Sequence, residues 1–299
     1  MNVLDTAVNY RCQRSERVIG RSLARAFESG ALRREEVVVA TKGGFVPFDG
    51  ARPRDLRTFM DETYIRPGIL PVEALVAGCH CMAPGWIADQ IERSRRNLGL
   101  ETIDVYYVHN PEMQLEEVPR DEFLRRIRAA FETLEAAAAA GKIGLYGTAT
   151  WDGYRKPADS VSHLSLAELV AVAREVGGAD HRFRAIQLPF NLGMTEAHTA
   201  RHQAGASLLA AAEAEGVYVM TSASILQGRL AKNLPDDLRK TLGPLETDAQ
   251  RSLQFVRSTP GVGTALVGMK SSAHVAENLV VARAPVLAAN VIQGIVGWS

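Results

Sequence analysis

Short runs of β-branched and aromatic residues alternate along this chain with amphipathic stretches of helical period. This alternation is typical of parallel strands joined by helical crossovers. The predicted strands lie near residues 2–5, 37–41, 103–108, 143–148, 185–188, 218–221 and 264–267. The predicted helices lie near residues 15–28, 87–98, 120–140, 166–175, 204–215, 248–256 and 273–284. We expect Ser15 to cap the first helix and Gly141 to follow the third.

The length and composition of the chain favour one large domain. The chain has 299 residues, of which 46% are hydrophobic, and no linker rich in Pro or Ser divides it. We therefore expect a single barrel domain over residues 1–299. Residues 43–85 are rich in Gly, Pro and charge and follow a predicted strand, which indicates a long loop over the mouth of an active site.

The charge and cysteine content argue against several classes of function. Lys plus Arg equals Asp plus Glu, at 34 each, so no overall field recruits nucleic acid or an anionic membrane surface. Cys12, Cys79 and Cys81 are too few for a disulfide framework, and the first residues lack the pattern of a signal peptide. No apolar stretch is long enough to span a bilayer. We expect a soluble, cytoplasmic protein.

Four ionisable side chains stand where a predicted strand gives way to a loop. Asp5 ends the first strand and Tyr10 follows it, whereas Lys42 and His109 follow the second and third strands. Because the carboxyl ends of parallel neighbouring strands share one rim, we expect these side chains to converge. Taken singly, each has an ordinary role, as a cap, a rim aromatic, a solvated charge or a structural imidazole. Their joint placement favours one shared site.

The segments around these residues resemble the aldo-keto reductase family over nearly the whole chain. The resemblance is carried by Leu4-Asp5-Thr6-Ala7 with Tyr10, by Ala40-Thr41-Lys42, and by Tyr107-Val108-His109-Asn110-Pro111. It implies an α/β fold, a TIM-type (β/α)8 barrel, that binds NADP(H) without a Rossmann domain. No Gly-x-Gly-x-x-Gly turn follows any predicted strand to suggest a Rossmann domain.

The same four side chains suit the transfer of a hydride to a carbonyl group. As the hydride reaches the carbon, negative charge grows on the oxygen, and a donor must deliver a proton there. Tyr10 is the expected donor, and Lys42 is a cation that favours the phenolate it leaves. Asp5 would orient Lys42, and His109 would hydrogen-bond the carbonyl oxygen. The family resemblance implies these roles too. The predicted function is NADP(H)-dependent reduction of an aldehyde or ketone, with a small carbonyl compound as the partner.

The resemblance also implies a set of cofactor-binding residues. These are Thr148, Gln187, Ser222, Gly228, Lys270, Ser271, His274, Glu277 and Asn278. Ser271 or Ser272 can cap a helix whose amides face a phosphate, and Lys270 favours NADP(H) over NAD(H). The family typically has asparagine at the position of Ala149, so one amide contact is missing unless Asn191 or a water replaces it. Ser222 stands where an aromatic commonly stacks on the nicotinamide.

The first strand of the family's barrel has no counterpart before Asp5. The matching family aspartate ends the second strand, so we expect seven of the usual eight strands and two unpaired sheet edges. A shortened chain is favoured over a fold adapted to the loss, and contacts to the cofactor should be weaker.

Two other functions remain open. Ala149, Ser222 and the missing unit favour a catalytically weak or regulatory member of the fold, and Lys42 at a barrel mouth is compatible with a Schiff-base lyase. Aromatic residues of the loop over 43–85 either line a lid that selects the substrate or pack a small core. No metal is expected, because Cys79-His80-Cys81 has no second ligand cluster at zinc-site spacing.

Overall fold

All seven predicted strands and all seven predicted helices are present in the structure, a computed structural model that describes residues 2–297. The strands are β1 Val3–Asp5, β2 Val38–Gly43, β3 Ile103–His109, β4 Ile143–Ala149, β5 Phe183–Pro189, β6 Tyr218–Ser222 and β7 Thr264–Ala265. The helices are α1 Arg14–Glu28, α2 Leu56–Met60, α3 Pro84–Leu98, α4 Arg120–Ala139, α5 Leu166–Gly177, α6 Glu196–Thr199, α7 Leu208–Ala214, α8 Asp236–Thr241, α9 Asp248–Ser258, α10 Ser272–Val281 and α11 Ala289–Val296. The strands follow one another in the sheet in chain order. The fold is of the (β/α)8 type, with seven strands among residues 2–297.

Some helix ends differ from the sequence prediction. The expected cap at Ser15 is wrong, because α1 begins one residue earlier, after Gln13 in a left-handed conformation. The Ser15 hydroxyl instead accepts a hydrogen bond from Thr6 at 2.9 Å. The helix predicted over 204–215 begins at Leu208, where Ser207 caps its first turn. Four further helices, α2, α6, α8 and α11, were not predicted; they have four to eight residues, too few for a clear helical period.

The chain divides into two compact units. The N-terminal unit comprises Asn2–Ala149 and Glu168–Ala185, and the C-terminal unit comprises Thr150–Ala167 and the described part of Ile186–Ser299. Within the stretch 2–297, no helix is long and apolar enough to cross a membrane.

In the N-terminal unit, β1 to β4 pair in parallel. Asp5 lies opposite Ala40, and Lys42 lies opposite Tyr107. The consecutive side chains of Tyr106 and Tyr107 are both fully buried, so the sheet is covered on both faces at β3. This register brings the C-terminal ends of β1, β2 and β3 to one edge.

The segment between β2 and α3 has a small aromatic core. Tyr64 and Trp86 are fully buried, and their rings meet edge to face at 5.0 Å between centroids. The Tyr64 hydroxyl donates to the carbonyl of Pro47 at 2.6 Å, and the Trp86 indole donates to the carbonyl of Gly44 at 3.0 Å. Tyr64 therefore packs within the segment, against Trp86 in the first turn of α3.

In the C-terminal unit, β6 and β7 are parallel, with Met220 opposite Thr264. The amide of Phe190, just after β5, donates to the carbonyl of Ser222 at the end of β6 at 3.1 Å. Phe190 stacks on Phe255 of α9 with 5.5 Å between ring centroids. This pair forms part of the apolar core of the unit.

Candidate active site

A buried ion pair joins the ends of β1 and β2. The Nζ of Lys42 lies 2.6 Å from Oδ2 of Asp5 and donates to the carbonyl of Thr6 at 2.8 Å. The side chain of Lys42 is 1% exposed, and that of Asp5 is 17% exposed. A charge so deeply buried requires such partners, because removing it from water is expensive. The pair therefore holds the Lys42 side chain at one place.

The chain leaving β1 carries Tyr10 to the ammonium. The amide of Val8 donates to the carbonyl of Lys42 at 3.1 Å, which extends the pairing of β1 with β2 beyond Asp5. A turn follows, closed by a hydrogen bond from the Tyr10 amide to Ala7 at 3.0 Å. The Nζ of Lys42 then lies 5.1 Å from the centroid of the Tyr10 ring. Tyr10 is 38% exposed, so its phenol can meet a ligand from solvent while the cation beneath it stays dry.

His109 completes the cluster from the end of β3. Its ring lies edge to face with Tyr10 at 5.8 Å and with Phe45 at 4.9 Å between centroids. Burial lowers the pKa of His109 well below its usual value, and the charge of Lys42 lowers this pKa further. The imidazole is therefore neutral near neutral pH. The structure brings all four predicted catalytic residues together in the N-terminal unit.

Three consecutive non-glycine residues after Tyr10 adopt left-handed backbone conformations. The φ angles of Arg11, Cys12 and Gln13 are 51°, 56° and 67°. The Gln13 side chain offsets this strain, since it donates to the carbonyl of Phe48 at 3.0 Å and accepts from Asn97 at 3.1 Å. Nothing in the sequence pattern pointed to Gln13.

A second buried carboxyl lies behind β2. Thr41 faces α1, because side chains alternate along a strand, and it donates to Oε1 of Glu16 at 2.6 Å. Asn97 donates to Oε2 of Glu16 at 2.8 Å. Gly20 makes this arrangement possible, since a Cβ there would lie 2.5 Å from the carbonyl oxygen of Asn97. Burial raises the pKa of Glu16, although its hydrogen bonds act in the opposite direction.

A buried histidine, His80, contacts the end of β3. It is fully buried, and its Nε2 lies 2.7 Å from the backbone carbonyl oxygen of His109. Its Nδ1 lies 2.9 Å from Nε2 of Gln114. The motif Cys79-His80-Cys81 had been considered only as a metal site. Among residues 2–297, no group of three His, Cys, Asp or Glu side chains could hold a metal ion.

The expected cofactor residues belong mostly to the C-terminal unit, with only Thr148 in the N-terminal unit. Thr148 is fully buried on β4, and Gln187 on β5 is nearly so. Ser271 caps α10, because its hydroxyl accepts from the His274 amide at 3.3 Å. Lys270 is exposed immediately before this cap. An exposed cation beside the amides of a helix N-terminus is suited to a phosphate.

The remaining expected cofactor positions differ in exposure. Gly228 has φ 89° in a short 3-10 segment after β6, and Ser222 is partly exposed at the end of β6. On α10, Glu277 is partly exposed and Asn278 is buried.

The side-chain amide of Asn191 makes local hydrogen bonds. Its Nδ2 donates to the carbonyl of Ala223 at 3.0 Å, and its Oδ1 accepts from the Gly193 amide at 2.9 Å. One N–H and one lone pair of the amide oxygen are used in this local turn.

The family model of the aldo/keto reductases matches residues 1–297 of this chain. The chain belongs to the aldo/keto reductase family. No curated protein matches it in sequence. The match covers the segments that carry Asp5, Tyr10, Lys42 and His109. The whole cluster therefore lies in the part of the chain that the family model matches.

Solved structures of aldo-keto reductases share the fold. A glycerol dehydrogenase from Gluconobacter oxydans is 19% identical with a TM-score of 0.66, over 99% of this chain and 80% of that one. The holo form of an aldo-keto reductase from Bacillus halodurans is 19% identical with a TM-score of 0.63. The similarity covers 99% of this chain and 82% of that one. An aldo/keto reductase from Klebsiella pneumoniae, in complex with NADP and acetate, is 19% identical with a TM-score of 0.62. The similarity covers 100% of this chain and 80% of that one.

Proposed function

We propose that this chain is an NADP(H)-dependent reductase of small aldehydes or ketones. The observation that carries the proposal is the position of Tyr10, whose ring covers the buried ammonium of Lys42 and meets the neutral imidazole of His109. A proton donor, a fixed positive charge and a neutral hydrogen-bonding group are the three features that carbonyl reduction requires of the protein.

Each side chain has a distinct role in the proposed reaction. The Tyr10 hydroxyl donates its proton to the oxygen of the substrate carbonyl as that oxygen becomes an alkoxide. Lys42 stabilises the phenolate that remains, and Asp5 keeps Lys42 in place. His109 is neutral, so one ring nitrogen can donate a hydrogen bond to the carbonyl oxygen without adding a charge. When bound, the reduced nicotinamide supplies the hydride to the carbonyl carbon.

The residues of the C-terminal unit fit the phosphate end of NADP(H). Lys270 and the first turn of α10 provide a cation and backbone amides for an anionic group. The Klebsiella pneumoniae structure, which contains NADP, supports the choice of cofactor. For the nicotinamide end, the family resemblance implies Thr148, Gln187 and Ser222, and Ala149 offers no side-chain amide. We therefore expect weaker binding of the nicotinamide than of the phosphates.

A non-catalytic or regulatory role is the second candidate. It is favoured by Ala149, which offers no side-chain amide to the nicotinamide, and by Asn191, whose amide makes local hydrogen bonds. This protein would retain NADPH without turning over any aldehyde. The contacts of Lys42 argue against a Schiff-base lyase, because its Nζ is hydrogen-bonded to Asp5 and to the carbonyl of Thr6.

A titration of NADPH fluorescence, followed by assays on a panel of aldehydes and ketones, tests the proposal. We expect binding and carbonyl-dependent oxidation of NADPH. Binding without turnover would support the regulatory role, and absence of both would contradict the reductase. Lys270→Ala should raise the KM for NADPH more than that for NADH, because only NADPH carries the 2′-phosphate. Borohydride trapping of a carbonyl on Lys42 would instead indicate the lyase.

A further inference from the structure

We propose that His80 is a positioning residue for the reductase, which fixes the backbone of His109 and through it the imidazole at the reaction site. This inference rests on the proposed function for its catalytic consequence. The structural part of the inference, that His80 fixes the backbone of His109, rests only on the contacts of His80.

A chain of hydrogen bonds runs from α4 to the end of β3. Glu122 pairs with Arg126 at 2.7 Å, and Arg126 donates to Oε1 of Gln114 at 2.5 Å. The amide nitrogen of Gln114 lies 2.9 Å from Nδ1 of His80. Nε2 of His80 then reaches the carbonyl oxygen of His109 at 2.7 Å. Gln114 and His80 are fully buried, and hydrogen bonds in such surroundings strengthen one another.

The chain determines which ring nitrogen of His80 carries the proton. Arginine can only donate, so Oε1 of Gln114 must be the atom that faces Arg126. The amide NH2 of Gln114 therefore faces His80 and donates to Nδ1. Nε2 must then carry the hydrogen, as the carbonyl of His109 requires of a donor. A cation on α4 thus sets the tautomer of a histidine on the loop.

Burial keeps His80 in this neutral form. It lowers the pKa of His80 to about 4, although the hydrogen bond to His109 acts in the opposite direction. A protonated ring would present a hydrogen to the amide hydrogens of Gln114, and the contact at Nδ1 would be lost.

Gly44 provides the space for the contact between His80 and His109. A Cβ at Gly44 would lie 2.7 Å from Nε2 of His80 and 3.2 Å from the carbonyl oxygen of His109. The bridge between Phe45 and His80 holds the two ends of the long segment together at this point. The Phe45 ring contacts the rings of both His80 and His109, at 5.2 and 4.9 Å between centroids.

The position of the His109 ring depends on packing and on its backbone. Its Nδ1 is buried, and no atom of residues 2–297 hydrogen-bonds to it. The imidazole is therefore held at that nitrogen by packing and by its backbone. A small shift of the backbone would move the ring relative to Tyr10, and misplacements of about 1 Å can lower a rate about a hundredfold.

Three histidine variants test the proposal. His80→Phe keeps the ring volume but removes the donor, whereas His80→Gln retains an N–H of similar reach. His163→Phe is the matched control, because His163 is also buried and its Nδ1 contacts a backbone carbonyl, that of Lys156, at 2.9 Å. The readouts are the kcat, the KM and the pH profile of carbonyl reduction, together with the ring-nitrogen NMR signals of histidine in 15N-labelled protein.

We expect the wild-type spectrum to show His80 as the Nε2–H tautomer. His80→Phe should lower kcat at least about tenfold with a smaller change in KM, alter the pH profile, and shift the ring signals of His109. His80→Gln should retain much of the wild-type kcat and pH profile and of the wild-type His109 ring signals. His163→Phe should change neither the kinetics nor the His109 signals. Unchanged His109 signals and pH profile in His80→Phe would overturn the proposal, as would His80→Gln being as impaired as His80→Phe.

Failure of the proposed function can be distinguished from failure of the positioning role of His80. If the wild-type protein reduces no carbonyl, the proposed function fails, while the NMR comparison still decides whether His80 positions His109. If His80→Phe does not fold, Gln114→Met keeps His80 and removes the donor to its Nδ1. The Nε2–H tautomer should persist, because the His109 carbonyl still requires a donor, and the signal of the unprotonated Nδ1 should shift as it loses its hydrogen bond. A spectrum identical to that of the wild type would contradict the assignment.

Discussion

The ammonium of Lys42 lies 5.1 Å from the centroid of the Tyr10 ring. This cation is nearly inaccessible to water, whereas the phenol above it is more than one-third exposed. Charges interact more strongly where water is excluded, so the influence of Lys42 on Tyr10 should exceed that of a surface lysine at the same distance. The proposed chemistry depends on this difference in exposure.

Tyr10→Phe should lower kcat for carbonyl reduction by about 10²- to 10⁴-fold, because the ring remains but the proton donor is lost. The dissociation constant for NADPH should change little. Tyr218→Phe is the control, since Tyr218 is exposed in the C-terminal unit and its hydroxyl contacts Thr264. Equal activity of Tyr10→Phe and the wild type would exclude Tyr10 as the donor.

Asp5→Asn should destabilise the protein by about 3 kcal/mol, because the buried Lys42 charge loses its counter-ion. The double variant Asp5→Asn with Lys42→Met should recover most of this stability but no activity. Urea denaturation measures the free energy of unfolding, and NADPH oxidation measures the activity. If the double variant were no more stable than Asp5→Asn, the destabilisation would not come from the unpaired charge.

His80 should make stability fall as the pH decreases below 6.5. Its pKa in the folded state is about 4, so between these values the unfolded chain binds a proton that the folded protein does not. The loss should reach about 3 kcal/mol near pH 4. His109 should add to it, since its pKa is lowered as well. Unfolding free energies measured from pH 7 to pH 4 should fall less steeply in His80→Phe, and equal slopes would contradict this assignment.

The titration of Glu16 should change the free energy of unfolding with pH in the opposite direction. Burial raises its pKa, so the folded protein retains a proton above pH 4.5 that the unfolded chain releases. This contribution is present at low pH and is lost as the pH rises from 4.5 through the raised pKa. The Glu16→Gln variant should lack this pH-dependent contribution to stability, because Gln does not titrate. Its side chain can still contact Thr41 and Asn97. The two proteins should therefore differ in the pH dependence of unfolding across this window; parallel curves would refute the prediction.

Gly44→Ala should destabilise the protein by about 2–3 kcal/mol, because the methyl group would overlap His80. Gly50→Ala is the comparison variant: Gly50 has a φ of 69°, and a Cβ there has open space around it. Gly44 has a φ of 134°, so Gly44→Ala adds both the overlap with His80 and a larger backbone strain, and thermal unfolding of the two variants measures the combined difference. A loss in Gly44→Ala no larger than in Gly50→Ala would argue against close packing at His80.

The sequence alone was sufficient to predict the strands, most of the helices and the four residues of the cluster. The reason is that these features are local. Alternating patterns of β-branched and amphipathic residues mark the elements, and Asp5, Lys42 and His109 each lie at the end of a strand, where parallel pairing brings side chains to one edge. The family signatures around them are local in the same sense.

The tertiary structure alone decided what supports that cluster. His80 contacts a carbonyl 29 residues away, and Asn97 reaches Glu16 across 81 residues. These contacts depend on how α1, α3 and the long segment after β2 pack, and no periodicity or spacing in the sequence encodes them. Hydrogen-bond direction is likewise a property of the whole network, so the proton on His80 is assigned only once Gln114 and Arg126 are in place.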